Sequence, residues 1–490
     1  MTQHVNLGEV QGNVVRTYGK NFRWAWHGFF TAQELGSERG LTQAAATVVS
    51  KWLSAVTFGD PTAGDAGAPS GDATAEDIAK YENAAFVNIA FTWKGLCALG
   101  VPDYMLQAFP QDFRDGAARR AKGLGDHWPG SDAIPLEDAH LMLIVHGRSK
   151  SGRDKRWSEL QEINSPSLRP LRLVHQLKAG FEKNPRERFG FADGLSQPAI
   201  AGVDIDAVGD GVFAGVHPRE PRWRRKIGLV IEDLGLRPLS RNWRLIRTGE
   251  FLLGYENEDG AVPVGSDAPL GPNSTFMVYR EMDQDVSGFN DYLAKHAKRL
   301  GVNPYVLGAK IVGRWANGTP AVRSEPDPDE LAGNRRRAND FLYKDDPSGY
   351  GCPLGAHTRR SNPRDALPGG AEETMRHRII RRGMPYHSVK DQDGTDREGL
   401  AFICFSASIK NGFEFIQEHW INTGERFGLG NQSDFLLQQA GKATKMVIPG
   451  FRPMVLDPPE EPFVRVRGCE YLFVPSRTAC TWLAQLVSKR

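Results

Sequence analysis

Phe22-Arg23-Trp24-Ala25-Trp26-His27-Gly28-Phe29-Phe30 sets bulky aromatics at alternate positions, Phe22, Trp24 and Trp26. A period of two puts neighbouring side chains on opposite faces, so this stretch predicts a half-buried strand. Working outward, Thr31 to Ala55 is Ala-rich with apolar residues recurring at three and four, the pattern of a helix. Ala84 to Thr92 alternates again through Ala85, Val87, Ile89 and Phe91. Trp93 to Leu99 and Pro110 to Leu124 read as helices, His140 to His146 as a strand, and Arg156 to Glu162 as helix again. Strand, helix, strand, strand, helix is the order of a ferredoxin-like unit, which predicts an α+β fold.

The second half reads similarly. Gly249 to Tyr255 is expected to be a strand ending in a turn, and Leu307 to Trp315 closes a helical region. Gly399 to Phe405 is a nearly continuous apolar run, as in a strand buried on both faces. Phe413 to Trp420 follows as an amphipathic helix, and Trp482 to Arg490 as a final one. Gly59 to Thr74 and Ser324 to Asn334 have loop compositions. A chain of 490 residues exceeds one ordinary domain, so two units of similar topology are expected, 1–215 and 216–490.

Composition narrows the function classes. Hydrophobic residues make up 40% and charged residues 24%, with a net charge of +2, so no polyanionic partner is implied. The basic clusters Arg222-Trp223-Arg224-Arg225-Lys226 and Arg335-Arg336-Arg337 have acids close by and read as solvated faces rather than a nucleic-acid surface. No run approaches the roughly 18 apolar residues that a membrane helix needs. Met1 to Glu9 lacks the basic and apolar regions of a signal peptide. Five cysteines, widely spaced and without a CxxC pair, fit a reducing compartment, and a cytoplasmic protein is expected. His140 and His146 have the wrong spacing for a paired site and read as strand-end histidines.

The chemistry concentrates in three stretches. Gly190-Phe191-Ala192-Asp193-Gly194-Leu195-Ser196-Gln197-Pro198 holds one carboxylate between two glycines. Gly351-Cys352-Pro353-Leu354-Gly355-Ala356-His357-Thr358-Arg359-Arg360-Ser361-Asn362-Pro363-Arg364-Asp365 holds a histidine before a basic run. Arg376-His377-Arg378-Ile379-Ile380-Arg381-Arg382-Gly383-Met384-Pro385-Tyr386 completes the set. Together they resemble the haem-site motifs of the dye-decolourising peroxidases, in the longer bacterial and fungal-like branch. Gln11-Gly12-Asn13, Gly95 to Pro102, Glu250 to Tyr255 and Gly313-Arg314-Trp315 extend the resemblance over most of the chain.

The resemblance implies two ferredoxin-like domains packed as a dimeric α+β barrel-type architecture with antiparallel sheets. Haem b would be held mainly by the C-terminal half. It places the proximal histidine at His357, with Cys352 as a competing axial ligand, and the distal arginine at Arg381, with Arg378 and Arg382 one slip away. Leu400 and Phe402 would line the distal pocket, and Ser196 would lie near Asp193. Arg359, Arg360 and Arg364 cluster where the two haem carboxylates could be paired, because guanidinium binds carboxylate bidentately. An axial imidazole usually donates its second N–H to an acceptor, and Glu414, Glu418 and Asp365 are the candidates.

Peroxide cleavage needs a base to move a proton between the two oxygens and a fixed positive charge for the leaving oxygen. Asp193 and Arg381 suit those roles, so the expected activity is reduction of hydrogen peroxide with oxidation of a dye, phenol or similar donor. An aspartate, with a reference pKa of about 3.9, works as a base at lower pH than a histidine at about 6.5, so activity should persist into acid. Electrons from bulky dyes could pass through Trp315, Trp420, Tyr343 or Tyr350, which the sequence does not rank. A haem carrier would need His357 and the arginines but has no use for Asp193 with Arg381. A protein without haem is the remaining alternative.

Overall fold

The computed structural model describes residues 4–15, 22–34, 40–59, 74, 76, 81–126, 133–164, 169–181, 186–203, 245–323, 338–339, 341–390, 394, 396–438 and 444–489. The expected boundary at 215/216, the loops at 60–73 and 324–334, and both basic clusters lie outside the described residues.

The aromatic stretch forms β1 (Trp24–Ala32). Its alternation is realised with Ala25, His27 and Phe29 on one face and the tryptophans on the other. Trp26 stacks on Trp157 with ring centroids 5.4 Å apart. A Cβ on Gly28 would meet Trp157 at 2.3 Å, so glycine makes the room that this indole fills. The helix expected from Thr31 begins only at Gln43, capped by the Thr42 side chain. The reason is that Thr31 and Ala32 continue β1, pairing with Arg172 and Leu171.

With β2 (Ala85–Phe91), β3 (Leu141–Gly147) and β4 (Leu171–Gly180), β1 gives the strand order β4-β1-β3-β2. The C-terminal half repeats the scheme with β5 (Thr275–Gln284), the two-residue β6 (Ile380–Arg381), β7 (Met384–Lys390), β8 (Asp396–Ser406) and β11 (Val464–Val474). Here the order is β11-β5-β8-β6, with β7 also on β8. Each half therefore places its last strand beside its first, and Phe473 opposite Phe91 joins them into one nine-stranded antiparallel sheet. β4 and β7, at the two ends, come into contact and close the sheet as a barrel. Its interior packs Phe29, Met142, Ile144, Met277, Tyr279, Ile403, Phe405 and Leu472. A separate hairpin pairs β9 (Met446–Ile448) with β10 (Met454–Leu456).

Two expectations are corrected. Gly249 to Tyr255 is a 3₁₀ turn at Thr248–Glu250 followed by further turns, with Phe251, Leu252 and Leu253 driven fully into the core. The run is apolar because it packs into the core, Phe251 and Leu252 with the barrel interior and Leu253 with the other cluster, not because it pairs. In β8, Ala401, Ile403 and Phe405 are buried in the barrel while Leu400 and Phe402 stay half-buried. That second face looks into a cavity outside the barrel.

Candidate active site

The floor of this cavity is laid by strand register. Arg280 and Met282 on β5 stand opposite Phe402 and Leu400 on β8, and all four line the cavity. Its walls are the loop Glu187–Ser196, the end of the helix Pro304–Val312, the helix His357–Ser361 and the π-helical segment Lys410–Ile421.

Gly190 and Gly194 adopt φ of 93° and 73°, where a side chain is strained, and a Cβ at either would meet nothing within 4 Å. The glycines serve the turn, not a close approach. The Glu187 carboxylate holds the loop by accepting from Phe189 N at 2.9 Å, Phe191 N at 2.8 Å and Gln284 Nε2 at 2.7 Å. Burial pushes the Glu187 carboxyl up. Thus held, Asp193 Oδ1 accepts from Gly194 N at 2.6 Å and lies 3.4 Å from Arg381 Nη1.

Arg381 sits on β6, where alternation separates it from its neighbour. Arg382 points the other way and donates to the carbonyls of Asn13, Val14 and Val15, so it is a staple for the N-terminal segment. Ser196 lines the cavity, its Oγ accepting from Asn362 Nδ2 at 3.3 Å.

His357 opens its helix facing the cavity, and its Nδ1 lies 3.0 Å from Oδ2 of Asp434. Asp434 is fully buried and its Oδ1 accepts from Leu436 N and Leu437 N, both at 3.0 Å. Burial alone would raise this carboxyl, but His357 and Arg360 hold it below the usual range. Asp434 was not among the sequence candidates. Glu414 is buried against Arg120 and Tyr471, Glu418 lies half-exposed beside His419, and Asp365 accepts from Tyr343 N. Cys352 is buried with its thiol on Gly313 O at 3.9 Å rather than in the cavity, and burial pushes it up to about 11.

Arg359 and Arg360 do not line the cavity either. His357 and Ser361, four apart on this short helix, look inward, whereas Arg359 and Arg360 are turned into the protein behind it. Arg359 donates to the carbonyls of Asp346 and Cys352. Arg360 donates to those of Trp420, Ile421 and Gln432, tying the π-helical segment to the loop that carries Asp434. Among the described residues, the arginines that line the cavity are Arg280, which is paired with buried Asp126 at 2.6 Å, and Arg314, Arg364, Arg378 and Arg381, with the carboxylates Glu187 and Asp193. Burial, reinforced by Arg364, pulls Arg314 down to about 10 and Arg378 to about 9. Nη1 of Arg378, Oγ1 of Thr358 and Oδ1 of Asn362 are buried there without a hydrogen-bond partner among the described residues. Of the aromatic relay candidates, Trp315, Trp420 and Tyr343 are buried and Tyr350 is exposed.

A carboxylate-backed imidazole, apolar walls from Phe191, Leu400, Phe402 and Ile416, and excess buried cationic charge together fit a flat apolar group bearing carboxylates and a metal, as haem does. An uncompensated buried guanidinium is costly, and an anionic partner offsets that cost.

Comparison with known proteins agrees with this geometry. Residues 9–179 match the family model of the DyP dimeric alpha+beta barrel domain, and residues 326–433 that of the Dyp-type peroxidase, C-terminal. A dye-decolorizing peroxidase of Mycena epipterygia is 31% identical over 363 residues, covering 69% of this chain and 61% of that one. Dye-decolorizing peroxidase msp1 of Mycetinis scorodonius is 28% identical over 428 residues, 80% of this chain and 75% of that one. A solved ancestral D-type dye decolorizing peroxidase superposes with a TM-score of 0.74 at 26% identity, covering 98% of this chain and 99% of that one.

Proposed function

Because this chain belongs to the dye-decolourising peroxidase family, an α+β barrel family of haem enzymes, we propose that it reduces hydrogen peroxide and oxidises dyes, phenols or similar one-electron donors. The observation that carries the reading is Asp193 and Arg381 3.4 Å apart on a cavity that His357 also lines.

Haem b, when bound, supplies the redox iron at which peroxide reacts. His357 would hold that iron through Nε2, because Nδ1 is engaged by Asp434, which would also keep the imidazole electron-rich. Arg378 would take a haem carboxylate, with Arg314 and Arg364 beside it on the cavity wall, in place of Arg359 and Arg360. The Asp193 carboxylate accepts the proton of one peroxide oxygen and delivers it to the other. Oδ2 is the atom available for this, since Oδ1 faces Gly194 N and Arg381. Arg381 stabilises the negative charge that develops on the departing oxygen. Leu400 and Phe402 keep competing water from the distal face.

The donor is small or aromatic rather than a nucleic acid or a membrane. None of the described helices is long and apolar enough to cross a membrane. A cytoplasmic site is supported by five free cysteines.

The test is the absorption spectrum of haem-loaded protein before and after one equivalent of hydrogen peroxide. A rapid spectral change that is lost in Arg381→Ala or Asp193→Ala supports the reading. A haem spectrum indifferent to peroxide makes the protein a carrier, and the absence of a haem band refutes both.

A further inference from the structure

β6 is only two residues long and lies at the end of the sheet path. One edge pairs with β8, Ile380 opposite Phe405 and Arg381 opposite Cys404. The other edge has no neighbouring strand among the described residues, so Arg381 N lacks a main-chain partner there, while Arg381 O accepts from Arg382 Nη1 at 2.9 Å. Gln197 closes it. Its Nε2 donates to Arg381 O at 3.0 Å, and its Oε1 accepts from Arg381 N at 3.1 Å. A primary amide carries donor and acceptor in the planar arrangement of a peptide group, so this one side chain stands in for a neighbouring strand.

Gln197 lies four residues after Asp193 on the same loop, and Pro198 fixes the backbone behind it. The bonds that complete the strand edge therefore also set the Asp193 loop against the main chain of Arg381. The guanidinium needs such an anchor. Its side chain is 36% exposed, and Asp193, at 33%, is the side chain it bonds to among the described residues. Its aim is set by its backbone.

We propose that Gln197 is the positioning residue for the distal pair: it acts through the main chain of Arg381 to hold that guanidinium against Asp193. The inference rests on the roles given to that pair above. A shift of about 1 Å in a catalytic group can cost on the order of 100-fold in rate, so a substantial kinetic effect is expected without any contact to the substrate.

The experiment combines amide hydrogen exchange on the haem-loaded protein with stopped-flow reaction with hydrogen peroxide. In Gln197→Ala, the Arg381 amide exchanges about tenfold faster or more while amides of β5 and β11 keep their rates. The second-order rate with peroxide falls roughly 10- to 100-fold. Gln197→Glu, which keeps the acceptor for Arg381 N but loses the donor to Arg381 O, falls between. In an Arg381→Ala background, Gln197→Ala produces no further loss, because the group it positions is gone. Unchanged exchange at Arg381, or an equal fold-loss in the Arg381→Ala background, overturns the proposal. Failure of the peroxidase reading is distinct: Arg381→Ala would itself react at the unmutated rate, whereas the exchange result decides what Gln197 holds.

Discussion

His357 and Asp434 lie 77 residues apart in sequence, and in the fold the histidine Nδ1 and the Asp434 Oδ2 are 3.0 Å apart. The carboxylate has no solvent exposure, so its charge is balanced by protein groups alone. Asp434→Asn keeps an acceptor but removes the charge. It is expected to lower haem retention or peroxide turnover about 10- to 100-fold, measured by haem titration and stopped-flow. Because the folded carboxyl is held below its unfolded range, its stability contribution is present above that range. It is lost as pH falls through the depressed value, so acid unfolding should be shallower in Asp434→Asn than in the unmutated protein.

Asp193 and Arg381 act on one step, and their loss should not be additive. Asp193→Asn is expected to slow the peroxide reaction about 10²- to 10⁴-fold and Arg381→Ala about 10²- to 10³-fold. The double variant should be close to the worse single one. Full additivity in stopped-flow rates would place the two residues in separate steps.

Arg378 is buried in the cavity with Nη1 unpartnered among the described residues and its guanidinium pulled down to about 9. A base with a depressed folded pKa costs stability at neutral pH, and the cost is relieved as pH rises above 9. Arg378→Met should therefore raise the melting temperature of the haem-free protein. The same change should weaken haem binding about tenfold or more, since one charge-assisted bond is worth about 1.5–3 kcal/mol. A haem titration and a thermal melt on the same sample check both signs.

Glu470 is a pH-dependent weak point remote from the site. Its carboxyl is buried and pushed up to about 7 by burial, while Oε1 accepts from Tyr471 N at 2.7 Å. A raised carboxyl contributes stability below its unfolded value that is lost as pH climbs through 7. Glu470→Gln keeps the acceptor and should stabilise the protein at pH 8.5, by about 3 kcal/mol at most, with little effect at pH 4.5. Denaturant melts at the two pH values decide this.

Much of the site was legible because its parts are local. The Gly-Asp-Gly turn, the histidine after a Gly/Pro turn and Arg381 before Gly383 each sit in a short motif with its own backbone logic. Facing was not legible for the arginines: of the run Arg359, Arg360 and Arg364, Arg364 lines the cavity beside Arg314 and Arg378, while a single helical turn points Arg359 and Arg360 at backbone carbonyls. The strand expected at 249–255 failed because an apolar run fits a core plug as well as a strand.

Periodicity in the sequence determined the α+β class and the strands β1, β2, β3 and β8, since spacing along the chain fixes which face a side chain takes, and the motifs shared with the peroxidase family pointed to Asp193, His357 and Arg381. Tertiary structure alone decided that Asp434 backs His357, that Gln197 grips Arg381 and that the two halves share one closed sheet. These are pairings between segments 77 and 184 residues apart, brought together by barrel closure, and no local pattern encodes such a meeting.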